Sequence, residues 1–482
     1  MMGRKTTPQP QLFYARINLE KRIRNDHPLR LIDQKIDFDF IYNEVKNCYG
    51  QNGNVSVPPP VILKMMFLLL FYNVRSEREL MDTIPERLDW LWFLGYDLDD
   101  QIPNHSVLSK ARNRWGVEVF KRFFENIVWQ CAQAGLIDGS KLFMDSSLIQ
   151  ADASNNSVVN KTSLKRYLNK SYRQLEDRLE QQPSKALNKK GTANRKYIST
   201  TDPEASVVRT GGRSKLRYKT HRAVDEKDEI ITATKVTPGE VNEAHCLTDL
   251  VDQHKRNTDK SATTVVADSK YGTIDNYLAC HDQDILPHFD TVDKNRYGTG
   301  KRKGIFKPKE FEYMPDEDCF ICPAGERLTI RKFYKKRSHF EYAISRKICN
   351  ECSLKPQCTK SKSGRTVKRH IRQDDLDIAL SQSLSRDSKK DIKTRQSLME
   401  RSFARSTRYG FKRSRWRRLW RLEIQEYLTS AIQNIMVLIK IVKERKPSAA
   451  MGAARGSHRV HFGFLGYKNM VIGPNLCCST RV

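Results

Sequence analysis

The apolar positions of the chain change their period along its length, and each change predicts a change of architecture. From Phe38 to about Ala134 they recur at helical spacing: VPPPVILKMMFLLLFYNV enters through prolines suited to a helix start, and RSERELMDTI continues with apolar residues at i, i+3 and i+4. NHSVLSKARNRWG then offers Asn104 or Ser106 as a cap ahead of a basic helix. From Lys141 the pattern shortens to strands. KLFMDSSLIQAD reads as one strand, GRSKLRYKTHRAVDEKDEIITATKVTPGE as two joined at the polar DEKDE turn, and TTVVAD as a buried strand followed by a loop and helix in ADSKYGTIDNYLACHD. Helical texture returns in DSKKDIKTRQSLMERSFARS and LEIQEYLTSAIQNIMVLIKIV, the second most simply a core-packing helix. Strands alternating with helices predict a mixed α/β sheet, preceded by an all-helical region.

This pattern divides the chain into an N-terminal arm (1–37), a helical DNA-binding domain (38–134), the first part of the α/β core (135–288), a cysteine-containing insertion (289–386), the helices that complete the core (387–446) and a poorly ordered tail (447–482). At 482 residues, more than one core is the starting expectation. A long polar segment, about Asn155 to Arg213, separates the first strand from the hairpin and reads as an exposed helix that becomes a loop.

Charge narrows the class. With 86 Lys and Arg against 56 Asp and Glu, the net charge is +30, which points to a polyanionic partner and to salt-dependent phosphate attraction. A membrane is not expected, because the longest strongly apolar stretch, Met65 to Tyr72, is far short of the ~20 residues a crossing needs. The absence of a signal peptide and the packing of cysteines into one short segment point to a reducing cytoplasm rather than to disulfides.

Three acids stand in informative settings: Asp145 ending LFMD, Asp268 ending TTVVAD, and Glu400 inside SLMERSFARS. The first two close apolar runs, where buried strands deliver side chains to a sheet edge, and the third lies in a helical stretch flanked by Arg395 and Arg401. Gathered together, three carboxylates would hold two hard divalent cations about 3.5–4 Å apart, the arrangement that serves phosphodiester chemistry. The bland readings are a turn-capping aspartate at Asp145 and a surface ion pair at Glu400. Asp152 and Asp275 are the nearest rivals and fit a turn and a helix cap better; His221, in KTHRAVD, is expected to be structural. Cys319, Cys322, Cys349, Cys352 and Cys358 include two CxxC pairs at zinc-ribbon spacing, which would knit a segment too polar to build its own core. The spacing favours Cys319, Cys322, Cys349 and Cys352 as the four ligands. The run RSTRYGFKRSRWRRLWRLE sets Arg405, Arg408, Lys412, Arg413, Arg415, Arg417 and Arg418 around Trp416 and Trp420, a dense positive stripe with aromatic faces suited to gripping phosphates and stacking on a displaced base.

These residues resemble the DDE transposases of bacterial insertion sequences, in the branch whose helical N-terminal domain precedes a ribonuclease H-like core. The likeness lies in LIDGSKLFMDSSLIQADASNNS, TTVVADSKYGTIDNYLACHD and MERSFARS…LTSAIQNIMVLIK, with NHSVLSKAR, CPAGERL and CNECSLKPQC, in family order from about residue 40 to 442. The resemblance implies a ribonuclease H-like sheet interrupted by an insertion, and Asp145, Asp268 and Glu400 as the catalytic triad. It further implies two Mg²⁺ ions, replaceable by Mn²⁺, terminal inverted repeats and target DNA as partners, and a homodimer in the synaptic complex. It gives more weight to Cys322, Cys349, Cys352 and Cys358 as zinc ligands, and matches Arg395 to the arginine preceding the glutamate. Relatives often carry a lysine about two helical turns after the glutamate, where this chain has Thr407. The residues beyond about Lys446 do not resemble the family. Two other functions remain open on sequence: a zinc-containing DNA-binding protein without catalysis, and a plain metal nuclease.

Overall fold

The computed structural model describes residues 2–3, 18–50, 52–160, 194, 196–290 and 304–444. The tail 447–482, with Cys477 and Cys478, most of the arm up to residue 17, and residues 161–193 of the polar segment lie outside the described residues. Among the described residues no helix is long and apolar enough to cross a membrane.

The helical region comprises α1 (Leu19–Arg22), α2 (Pro28–Lys35), α3 (Ile41–Val45), α4 (Pro59–Phe71), α5 (Glu77–Thr83), α6 (Leu88–Leu94) and α7 (Ser106–Gln133). Prolines at the first positions of α4 start it without wasting a backbone donor, and its apolar residues run all round, so it is buried along almost its whole length. Lys64, the one cation in that helix, is neutralised by Asp33 and donates to the Phe93 carbonyl at 2.9 Å. Helix α7 bends at Gly116, whose φ of 69° few other residues would adopt without strain.

The central sheet contains β1 (Lys141–Gln150), β4 (Ser206–Thr210), β5 (Arg213–Asp225), β6 (Ile231–Pro238), β7 (Thr264–Ala267) and β8 (Leu286–Phe289), with β2 (Val158–Asn160) and β3 (Tyr197–Ser199) forming a separate two-stranded ribbon. Strand β1 is antiparallel to β5 and parallel to β7, which is parallel to β8; the far side of β5 is shared by β4 and β6. Helices α8 (Leu247–Thr258) and α9 (Ile274–His281) link the strands. This mixed order, with a long hairpin beside parallel strands, is the ribonuclease H-like core the sequence predicts.

Beyond it, β9 (Glu312–Met314), β10 (Cys319–Ile321), β11 (Arg327–Tyr334), β12 (His339–Ala343) and β13 (Thr366–His370) form an antiparallel sheet with the short helices α10 (Arg346–Glu351) and α11 (Lys355–Cys358). The expectation that this segment is too polar for a core of its own is corrected: Phe311, Phe320, Leu328, Tyr342 and Val367 pack together, because alternation along its strands turns widely spaced apolar residues to one face. The chain then returns through α12 (Gln373–Ser383), which packs on α9 and β8 as part of the main core, to α13 (Arg386–Thr407) and α14 (Leu419–Glu444).

Period-2 alternation assigns the two faces of the sheet. Leu142, Met144, Val265 and Ala267 point to the side covered by α8, α9 and α12, whereas Phe143, Val224 and Val266 point to the side covered by α13, α14 and the helical region. The helical region and the sheet therefore share one hydrophobic core. On that side Arg222 of β5, fully buried, forms a two-pronged pair with Glu426 of α14 at 2.6 and 3.0 Å and donates to Ser406 Oγ of α13 at 2.7 Å. Thr234 of β6 donates to the same carboxylate at 2.8 Å, and the rings of Phe403 and Phe411 flank the guanidinium. Removing one member of a buried charge pair leaves the other uncompensated. Glu426→Leu is expected to cost about 3–5 kcal/mol of stability, read by urea unfolding.

Candidate active site

Asp145 and Asp268 are brought together by strand register. Phe143 of β1 is level with Val266 of β7 in the parallel pair, and the two aspartates follow those residues by the same number of positions. By the same alternation both fall on the side of the sheet that α13 covers. Asp268 follows the last residue of β7, whereas Asp145 lies inside β1, still paired with β5 but just past the point where the parallel pairing with β7 ends.

A third acid completes the group: one ligand oxygen from each of Asp145, Glu243 and Asp268 lies within 4.8 Å of the others, and no other trio of acids, histidines or cysteines does so among the described residues. Glu243 starts a short 3-10 turn after β6, capped by Asn242, whose side chain accepts from the Ala244 amide at 3.2 Å. It pairs with Lys219 at 3.1 Å and Lys270 at 2.9 Å, and Lys270 also stands 4.0 Å from Asp268. Arg395 of α13 donates to Asp145 at 2.6 Å.

Burial sets the electrostatics. It raises the Asp145 carboxyl above the ordinary range against the pull of Arg395, and it raises Asp268 with the help of its neighbours Glu243 and Asp145. Burial alone would raise Glu243 too, but Lys270 and Lys219 outweigh it and hold that carboxyl low. Such a set of crowded oxygen donors fits a hard divalent cation, which would replace like-charge repulsion with attraction.

The other predicted site residues fall elsewhere. Glu400 is exposed on α13, accepts from Gln396 at 3.4 Å and is not a member of the close trio. Arg401 and Arg405 both pair with Glu229 in the β5–β6 turn. Arg408 and Lys412 are exposed, and Arg413 and Arg417 pair with Asp152 at 3.0 and 3.5 Å. Arg418 is half-buried, its backbone amide donating to Asp202.

Two members of the stripe, expected to contact DNA, make internal contacts. Arg415 donates to the Val74 carbonyl and to Asn73, and Trp416 donates to Glu77 at 3.0 Å with the Arg112 guanidinium 4.1 Å from its ring centre. They clamp the turn between α13 and α14 onto the helical region, and Gly410, where a Cβ would come 2.5 Å from Asn73 Oδ1, permits that closeness. Helical regions far apart in sequence share this interface, so composition alone suggested a surface.

His221 is structural as expected: it is fully buried, bonds Thr237 at 2.9 Å, and burial pushes its pKa down to about 3. Cys322, Cys349, Cys352 and Cys358 line one cavity of about 30 Å³ together with Arg365, whereas Cys319 sits on β10 beside Glu317. No three of their sulfurs lie within 4.8 Å of one another. Sequence reasoning missed Glu243, Lys219 and Lys270. Their signal was faint, since VNEAHC has no periodicity and both lysines look like ordinary surface charge.

Residues 17–114 match the model of a transposase domain (DUF772), and residues 321–439 match that of a transposase DDE domain. The chain matches none of the curated proteins it was compared with. Among solved structures, a cryo-EM structure of a piggyBac transposase synaptic complex with hairpin DNA is similar at 8% identity and a TM-score of 0.32, over 87% of this chain and 76% of that one. The chain thus carries two segments that match transposase domains, the second a DDE domain, together with the acidic cluster. It is a Mg-dependent enzyme of DNA cleavage and strand transfer.

The raised carboxyls carry a sign. A carboxyl whose folded pKa exceeds its unfolded value favours folding when protonated, so ionised Asp145 and Asp268 cost stability at neutral pH, and that cost disappears as pH falls through their raised pKa values. Bound cation offsets it. Mn²⁺ at a hundred times its Kd is expected to stabilise the protein by about 2.7 kcal/mol near pH 7.5, with a smaller gain near pH 5, read by thermal unfolding.

Proposed function

We propose that the protein is an insertion-sequence transposase that binds terminal inverted repeats, cleaves at the element ends and transfers the 3′ hydroxyl ends to target DNA. The observation that carries this reading is the pair of aspartates that stand two residues beyond the last level pair of adjacent parallel strands, their oxygens close enough to share a cation. Mg²⁺ there would polarise phosphate oxygens and favour ionisation of an attacking hydroxyl, with Mn²⁺ able to replace it.

Asp145 and Asp268 would hold the cation, and Glu400 would serve as the third catalytic acid. Support for Glu400 comes from α13, which packs against β1, β7 and β8 and already reaches Asp145 through Arg395. Glu400 follows Arg395 by about 7.5 Å along the helix axis. Arg395 orients Asp145, and release of that pair to a DNA phosphate would couple substrate binding to the site. Arg408 and Lys412, exposed on the surface, join Arg401, Arg405, Arg413, Arg417 and Arg418 as candidate phosphate contacts, the paired ones exchanging a surface carboxylate for phosphate at small cost.

The same reading places the protein in a bacterial cytoplasm, acting on its DNA as a homodimer that holds two ends. Structural Zn²⁺ on Cys322, Cys349, Cys352 and Cys358 belongs to it as well; the shared cavity supports that set, and tetrahedral thiolate ligation would draw the sulfurs together. Near one zinc per chain is expected by elemental analysis, falling with Cys352→Ser.

The test uses DNA carrying the element ends and Mg²⁺, with cut 3′ ends mapped. Asp145→Asn, Asp268→Asn and Glu400→Gln are each expected to lower cleavage about 10³-fold or more while leaving end binding intact. Cleavage by all three variants at the wild-type rate would overturn the assignment. Cutting without strand transfer would mark a plain nuclease instead.

A further inference from the structure

Beside the two aspartates, buried polar atoms are left without partners in a way that points to a ligand. Glu243 is 2% exposed; its Oε1 receives both lysines, and its Oε2 has no hydrogen-bond partner although the Ser146 side chain lies near. Tyr271, three residues after Asp268, is fully buried, its hydroxyl is also unpartnered, and Glu243, Asp145 and Asp268 all act on it. A buried polar atom left unpaired keeps its full desolvation penalty, and two such atoms border this one acid trio. The backbone around them is fixed rather than loose: Asn276 holds the carbonyls of Ala244 and Tyr271 at 3.0 and 2.8 Å.

We propose that Glu243 is a ligand of the divalent cation, so that Asp145, Glu243 and Asp268 load one ion before Glu400 is engaged, with the Tyr271 hydroxyl bonding a water of the ion's hydration shell. This rests on the reading of Asp145 and Asp268 as metal ligands. Two lysines compete with the ion for Glu243, and their exposure decides the contest. Lys219 has a side chain only 12% exposed and remains in place, whereas that of Lys270 is 62% exposed and swings out at the small cost of a surface pair. Lys270 is then the group the ion displaces.

Free Mn²⁺ followed by its EPR signal, titrated into the full-length protein without DNA, tests this. Wild type and Glu400→Gln are expected to share one tight site, Glu243→Gln to weaken it about 10-fold or more, and Lys270→Met, which removes the competitor, to tighten it. Tyr271→Phe should weaken it by a smaller factor with its thermal midpoint preserved. If Glu243→Gln and Lys270→Met both titrate like wild type while Asp145→Asn and Asp268→Asn lose the site, the role of Glu243 is overturned and the aspartate reading stands. If the aspartate variants also titrate like wild type, both fall. A Glu243→Gln chain that does not fold leaves Lys270→Met as the deciding measurement, and unchanged affinity there overturns the proposal.

Discussion

The buried pair between Arg222 and Glu426 is the constraint on which the rest of the architecture leans. Arg222 is the cross-strand neighbour of Asp145, and its guanidinium reaches across to α14 while touching α13 through Ser406. With both partners essentially without solvent, neither charge tolerates loss of the other, so the two C-terminal helices are held at one height above the sheet. Asn434 adds a second fixed point, exchanging both hydrogen bonds of its amide with the backbone of Ile231 on β6. The position of α13 over β1 and β7, and so of Arg395 beside Asp145, follows from these contacts.

That scaffold explains why the acids can be crowded. Carboxylates this close repel, and burial adds to the cost, yet rigid strands on one side and an anchored helix on the other keep them from relaxing apart. Lys219, Lys270 and Arg395 carry the compensating charge at rest. Compensation by the exposed Lys270 is weak enough to be exchanged, whereas the Arg222 pair is not. The protein thus separates a fixed ionic contact that builds the fold from a labile one beside the acids.

The basic run after α13 shows the same division. Its backbone is stitched to the end of β1, where Gln150 exchanges hydrogen bonds with Lys412 and Ser414 at 3.0 and 2.8 Å. Arg415 and Trp416 turn inward to the helical region, and Arg408, Lys412, Arg413 and Arg417 turn out. One stretch of sequence with one composition therefore serves both as a joint between regions and as positive surface.

Local pattern determined much: the strands carrying Asp145 and leading to Asp268, the hairpin with its polar turn, and the helices carrying Glu400 and the C-terminal core were legible because their periods of two and 3.6 are set by backbone geometry. Both aspartates close apolar runs, which made them visible, although only Asp268 follows a strand end and Asp145 lies inside β1. Tertiary structure alone decided what meets them. Glu243 lies in an aperiodic turn, Tyr271 in a polar loop, and the partners of Arg415 and Trp416 stand more than 300 positions away, in contacts such as Asn73 and Glu77 that only the folded packing of distant helices creates.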